Sequence, residues 1–291
     1  MIYRGGNVML VSGKEILQKA HQENYAVGAF NTNNLESTKA MIQAAEEEKS
    51  PIIIQTSQSA IKYAGLEEIA MIVRQLAEKA SVPVALHLDH GTDWDVVMQC
   101  LRHGWTSVMF DGSKYDFKEN IAITKQIVDI AHPMGVSVEA ELGKIGGVED
   151  HVVVDEKDAT MTDPDEAVEF VEKTGVDYLA IAVGTAHGVY KGTPKLDFDR
   201  IDTIKKRLQI PIVLHGASGI AVEDIQKAVS LGVNKINIDT ELRQAFQQAM
   251  HKVVKETPDL YDPRKMLKPT IEAMKAIVQG KMRTFGSSGR A

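Results

Sequence analysis

A single cysteine, few aromatic residues and the lack of any long apolar run set the first limits on this 291-residue chain. One thiol, Cys100, cannot close an intramolecular disulfide, so the fold has to be held by its core, which agrees with a reducing compartment. Its setting, DVVMQCLRHG, places it on the apolar face of a helix as a packing residue rather than a nucleophile. No stretch is apolar enough to span a bilayer. The opening MIYRGGNVML has neither the apolar core nor the small-residue cleavage site of a secretory leader. Absent too is any basic run or aromatic-rich basic stripe, and the net charge is -7 with both signs mixed along the chain, which disfavours nucleic acid as a partner. A small molecule is therefore the expected partner, with no nucleic acid and no membrane, and the cytoplasm is the expected address. An anionic ligand remains compatible, because a few local positive groups outweigh a mildly acidic surface.

What is present is an ordinary globular composition, 44% hydrophobic and 25% charged, with enough chain for a large core. Short β-rich apolar runs recur: YAVGAFN (25–31), PIIIQTS (51–57), PVALHLD (83–89) and SVMFDGS (107–113). VSVEAELG (136–143), YLAIAVG (178–184), PIVLHGA (211–217) and KINIDT (235–240) continue the series to eight. Between them lie amphipathic segments at helical spacing, such as LESTKAMIQAAEEEK and EEIAMIVRQLAEKA. Near-continuous Val, Ile and Ala suit strands buried on both faces of a parallel sheet. Eight βα units predict an α/β fold of the (β/α)8 TIM-barrel type, a single domain over residues 1–291. An open doubly wound sheet would want a Gly-rich turn after its first strand, and GAFNTNN is not one. Asp163-Pro164-Asp165-Glu166 reads as a capped helix start, and Gly104, Gly135, Gly175 and Gly232 fall where left-handed helix ends are needed. Two connections, 144–162 and 185–199, are long enough to be lids. From about Asp262 the tail continues as helix, and FGSSGRA is expected to fray.

In a barrel of this kind the chemistry collects at the C-terminal ends of the strands. Those ends carry Asn31, Gln55, Ser57, Asp89, His90, Asp111, Glu141, His187, His215, Gly216, Ser218, Asn237, Asp239 and Thr240, far more polar than packing requires. His90 ends PVALHLDH, His187 follows YLAIAVGTAH and His215 ends PIVLH, so three imidazoles can converge on one divalent ion and leave a position open for substrate. His87 lies deeper on the same strand face as Asp89 and reads as packing or as support for a ligand. A lone histidine in a helix or loop is more often structural, which covers His21, His103, His132, His151 and His251. Gly216-Ala217-Ser218-Gly219 before a helix can cradle a phosphate, although a tight turn would also use glycine. Lys191 in HGVYKG could close over the same phosphate. A Schiff-base route would need a lysine inside the barrel. Lys235 is expected at the start of strand eight, at the wrong end, and Lys191 lies in a glycine-flanked loop.

HLDHG, AELG…GGVED, VGTAHGVYKG, LHGASG and NIDTELR occur in this order on successive strands. Together they resemble the class II, metal-dependent fructose-1,6-bisphosphate aldolases, from about Leu10 to the FGSS tail; tagatose-bisphosphate aldolases share most of these motifs. The resemblance implies one catalytic Zn2+ per subunit on His90, His187 and His215, with Asp111 and Glu141 holding a displaced or second metal. It implies that Asp89 exchanges a proton with the C4 hydroxyl and that Glu149 handles the dihydroxyacetone phosphate proton, with Asp150 a weaker candidate. Asn237 would hydrogen-bond the substrate near its reacting centre. Gly188, Lys191, Gly216, Ser218, Asp239 and Thr240 match the family's phosphate and monovalent-cation (Na+ or K+) region, with Ser57 on that phosphate and Asn31 among the substrate contacts. Arg243 resembles an arginine that reaches a neighbouring subunit's site and binds the distal phosphate, which implies a homodimer or homotetramer.

The implied activity is reversible cleavage of fructose 1,6-bisphosphate to dihydroxyacetone phosphate and glyceraldehyde 3-phosphate, in glycolysis and gluconeogenesis. A divalent ion bound by neutral imidazoles keeps much of its charge, so it can polarise the ketose carbonyl and stabilise the enediolate. Two carboxylates on different elements, Asp89 and Glu149, suit the two proton transfers. Tagatose 1,6-bisphosphate is the close alternative, with Asp239 and Arg243 tilting the resemblance toward fructose. More distant alternatives are a zinc hydrolase on the same barrel and a phospho-sugar binder without catalysis.

Overall fold

The structure is a computed structural model that describes residues 9–149, 152–155, 157, 159–188, 190, 192 and 194–291; the side chains at 148, 149, 152 and 153 stand outside that description. Its strands are β1 (Val27–Asn31), β2 (Ile52–Ser57), β3 (Val84–Gly91), β4 (Ser107–Phe110), β5 (Ser137–Leu142), β6 (Gly146–Glu149), β7 (Val152–Val154), β8 (Tyr178–Ile181), β9 (Ala186–His187), β10 (Ile212–Leu214) and β11 (Val233–Ile238). Helices α1 (Gly13–Glu23), α2 (Leu35–Glu48), α3 (Gln58–Ala64), α4 (Leu66–Ala77), α5 (Trp94–Arg102) and α6 (Phe117–Ala131) accompany the first half. The second half carries α7 (Pro164–Thr174), α8 (Phe198–Arg207), α9 (Val222–Ser230), α10 (Thr240–Glu256) and α11 (Pro263–Phe285).

Strands β1, β2, β3, β4, β5, β8, β10 and β11 close into a parallel barrel, one for each of the eight apolar runs. The alternating pattern explains the two cores. Outward residues such as Ile52, Ile54, Leu86, Leu88, Val138 and Leu214 pack under the helices, while Val27, Ala29, Ile53, Ala85 and Val213 face inward. Helix α1 plugs the N-terminal mouth, and a Cβ on its first residue, Gly13, would stand 2.4 Å from the Tyr178 hydroxyl. With that end sealed, the polar strand ends open at the other. Cys100 is buried, and burial pushes its thiol up, so the packing role holds.

Local signals act as read. Asp163 accepts from the Asp165 and Glu166 amides with Pro164 in the first turn, and Gly135 and Gly175 close their elements at φ 74°. Two expectations are corrected. The long connections are not plain loops: β6 pairs antiparallel with β7 and parallel with β9, a small sheet over the barrel mouth. The chain end does not fray either, because Ser287 is buried and its hydroxyl accepts from Ser50 at 2.8 Å, while the Gly289 and Ala291 amides reach the Glu48 and Lys49 carbonyls. Removing residues 286–291 should therefore lower stability by about 1–3 kcal/mol, the scale of stranding buried polar groups. A denaturation midpoint equal to that of the full chain would show that these contacts contribute nothing.

Candidate active site

The site starts from an irregularity in β3. Alternation sends Ala85, His87 and Asp89 inward and would send His90 outward. Instead His90 has φ 45°, and the β3–β4 register shifts between Leu88 and Gly91. A bulge with a non-glycine residue at positive φ is strained, which marks a position held by its surroundings. Its effect is that two consecutive polar residues, Asp89 and His90, both enter the barrel mouth.

His90, His187 and His215 converge there: each can offer a ring nitrogen, and these atoms all lie within 4.8 Å of one another. His90 and His215 come from β3 and the end of β10. His187 lies on β9, past the end of β8 at Ile181, so the small sheet rather than a barrel strand delivers the third ring. His90 Nε2 stands 2.9 Å from His215 Nδ1. The far nitrogen of each ring meets a buried carboxylate, His90 Nδ1 at 3.0 Å from Asp111 and His215 Nε2 at 2.8 Å from Glu139. With those N–H groups donated outward, two lone pairs face each other across the mouth. That donor set fits a cation, whose imidazole nitrogens would sit roughly 3.3 Å apart at ordinary zinc–nitrogen lengths. Burial pushes the His215 ring down, which keeps it neutral and able to ligate. Burial alone would raise Asp111, but its bonds from His90 and Ser113 outweigh that and hold it well below the usual carboxylate range. His90, Asp111 and Glu141 form a second convergent set.

Asp89 is fully buried and gripped by three amides. Asn31 Nδ2 donates to Oδ2 at 2.9 Å, Gln55 Nε2 to the same oxygen at 3.0 Å, and Asn237 Nδ2 to Oδ1 at 3.0 Å. Asn237 Oδ1 has no hydrogen-bond partner among the described residues and is available to a ligand hydroxyl. The strand register explains the cluster, since β1 pairs Asn31 with Gln55 of β2, and β2 pairs Ser57 with Asp89. Asn31, Ser57, Asp239 and Arg243 line one pocket of about 330 Å³. Arg243 is held by its own chain's Asp239, at 2.8 Å on each carboxylate oxygen.

On the other side, Gly216 sits at φ 64° and an added Cβ would be 2.5 Å from the Ala186 carbonyl oxygen. Tyr190 clips the same two segments together, its hydroxyl accepting from Ala186 N and donating to Gly216 O, both at 2.8 Å. Gly188 is at φ 85° and Ser218 is buried. Helix α9 follows the Gly216–Gly219 turn, beginning at Val222 with Ala221 as its N-cap. Thr240 opens α10 directly after Asp239. Gly216→Ala should cost about 1–3 kcal/mol from backbone strain and weaken phosphate-ligand binding together with stability. Unchanged midpoint and unchanged binding would show that the turn tolerates a side chain. Lys191, Asp150 and the Glu149 side chain lie outside the described residues; the Glu149 backbone is in β6.

One reading is overturned. Lys235 is not at the wrong end: β11 starts at Val233, and Lys235 is fully buried inside the barrel, 2.8 Å from Glu139. Glu139 was not singled out from the sequence. The signal was there, because Glu139 and Glu141 are alternate residues of a buried strand and share its inner face.

A parallel barrel whose open end gathers three imidazoles, an amide-clamped carboxylate and glycine-built turns defines a TIM-barrel enzyme with a metal-type centre. The model of the class-II fructose-bisphosphate aldolase family matches residues 11–290. A fructose-bisphosphate aldolase of Thermus caldophilus is 50% identical, covering 97% of this chain and 100% of the relative, and one of Geobacillus stearothermophilus is 50% identical, covering 97% and 99%. Among solved structures, the YdjI aldolase of Escherichia coli K12 superposes with a TM-score of 0.85 at 40% identity, over 97% of this chain and 100% of that one. The chain belongs to the class-II fructose-bisphosphate aldolase family and is an aldolase, an enzyme of the lyase class. That membership sets aside the hydrolase and the non-catalytic binder.

Proposed function

We propose that this chain, acting as one barrel unit over residues 1–291, reversibly cleaves fructose 1,6-bisphosphate to dihydroxyacetone phosphate and glyceraldehyde 3-phosphate. The observation that carries the reading is the pairing of a three-imidazole cluster with the amide-held Asp89 at one barrel mouth. His90, His187 and His215 would hold Zn2+, and Asp111 and Glu141 a displaced ion. When bound, the ion supplies Lewis acidity at the ketose carbonyl oxygen.

The chain's own groups do the rest. Asp89 takes the C4 hydroxyl proton as the C3–C4 bond breaks, and its three amides keep one oxygen aimed while the charge is in place. Glu149 returns a proton to the carbon left behind. Asn237 Oδ1 accepts from a substrate hydroxyl. One phosphate rests against Ser57, Gly188, Gly216, Ser218, Asp239 and Thr240, with Lys191 closing over it and a Na+ or K+ ion beside it. The distal phosphate is bound by Arg243 reaching in from a neighbouring subunit, while Asn31 contacts substrate from the pocket it lines with Ser57, Asp239 and Arg243 of its own chain. Fructose is favoured over its C4 epimer tagatose by resemblance, through Asp239 and Arg243 in NIDTELR and the fructose-bisphosphate aldolases the chain matches. A homodimer or homotetramer, a glycolytic and gluconeogenic role and a cytoplasmic address complete the proposal. Among the described residues no helix is long and apolar enough to cross a membrane.

Cleavage rates on the two epimers test the reading, and equal or better cleavage of tagatose 1,6-bisphosphate would reverse the epimer assignment. Arg243→Ala should lower kcat/KM for the bisphosphate by roughly 10–100-fold, the equivalent of one charge-assisted contact. A truncated substrate without the distal phosphate should be indifferent to that change. Equal loss on both substrates would place Arg243 outside phosphate binding.

A further inference from the structure

Beneath the imidazoles lies a charged layer that none of these steps uses. Glu139 and Lys235 are both fully buried, and Lys235 Nζ lies 2.8 Å from Glu139 Oε2. The approach is an ion-pair contact rather than an aligned hydrogen bond. Glu139 Oε1 accepts from His215 Nε2 at 2.8 Å, and His87 Nε2 stands 3.3 Å from Oε2. His87 Nδ1 meets Ser107 Oγ at 2.6 Å, and Ser107 in turn contacts the Tyr178 hydroxyl. Burial alone would push Glu139 up, but Lys235, the His215 N–H and His87 outweigh it and hold the carboxyl well below its usual range.

Such a pair is a poor device for stability. Taking two charges out of water offsets most of their attraction, and apolar residues of the same volume commonly serve a core as well or better. A reason for charge at this depth has to lie in what the charge touches, and Glu139 touches a ring of the metal-type cluster.

We propose that the buried Lys235–Glu139 pair is a positioning device for His215: the carboxylate holds the ring proton on Nε2 and so commits Nδ1 to the metal. The proposal rests on the metal reading of the three histidines. A neutral imidazole carries one N–H, and its acceptor decides which nitrogen is left with a lone pair. His90 is set the opposite way, with Nδ1 donated to Asp111 and Nε2 facing the mouth. The two rings thus present different nitrogens, and each orientation depends on its own carboxylate. Lys235 supplies the counter-charge that lets a bare carboxylate stand in a dry barrel, and His87 braces the carboxylate's second oxygen.

The test measures metal binding rather than turnover. Zn2+ and Co2+ affinities, by chelator competition, are compared for the full-length protein, Glu139→Gln, Lys235→Met and the control Ser107→Ala, with circular dichroism confirming the fold. Glu139→Gln and Lys235→Met should each weaken binding by about 10–100-fold and shift the visible absorption of bound Co2+, with Ser107→Ala close to the parent. Should either variant fail to fold, long-range 1H–15N NMR of the zinc-loaded parent decides, with His215 expected to be protonated at Nε2 and metal-bound at Nδ1. Folded Glu139→Gln with parental affinity and Co2+ spectrum, or His215 metal-bound through Nε2, would overturn the proposal. A parent protein that binds neither ion would instead overturn the metal reading beneath it.

Discussion

Chelation should abolish aldol cleavage, and added Zn2+ or Co2+ should restore it, with sodium borohydride trapping no substrate adduct at any stage. The Lewis-acid contribution of a divalent ion is several kcal/mol of transition-state stabilisation, so the metal-free protein should lose on the order of a thousandfold or more. The borohydride arm follows from Lys235. It is the lysine that is fully buried among the described residues, and it is paired with Glu139 in the barrel rather than presented as a free amine. A covalent route needs a neutral amine with access to the carbonyl. Full activity after exhaustive chelation, or a reduced adduct on any lysine, would contradict the mechanism.

Replacing Asp89 by asparagine should lower cleavage by roughly 10²–10⁴-fold, the usual worth of a positioned acid–base group. The amide is close in size, but it presents an NH2 group to donors that now point at a carboxylate: Asn31, Gln55 and Asn237. Metal content should be unchanged, because the cluster nitrogens come from His90, His187 and His215. Exchange of the dihydroxyacetone phosphate proton should survive, since that step is assigned to Glu149. Glu149→Ala should show the reverse, with slow exchange and an intact metal site. If Asp89→Asn loses the metal, or if both variants slow the same step equally, the two carboxylates do not have separate roles.

The barrel was legible because burial on both faces writes itself locally. Runs such as PIIIQTS and PVALHLD begin with consecutive apolar residues and turn polar only toward their C-terminal ends, and the helices between them keep a one-sided pattern. The caps at Asp163 and Gly175 were equally local, being backbone needs met by one side chain or one glycine. His90 and His215 were legible as strand-end histidines, and Asp89 by its place beside His90. Other features lacked a local signature. The β6–β7–β9 sheet joins two short neighbouring strands to β9, a two-residue strand well beyond them in sequence, and nothing in GTAH announces that His187 sits on a strand. The buried chain end depends on Ser50 meeting Ser287, partners separated by most of the chain.

By itself the sequence determined the number and order of the barrel strands, the end of the barrel that would carry polar groups, and the family of its chemistry. The first two follow from periodicities of two and 3.6 residues and from residue types at run boundaries, which neighbouring positions encode, and the third from the resemblance of the ordered motifs to a known family. Only the tertiary structure decided which nitrogen each histidine presents, how three amides share one aspartate, and that a lysine read as misplaced stands in the barrel against Glu139. Each of these depends on strand register and on the bulge at His90, and a shift of one residue in either would turn the same side chains to the opposite face.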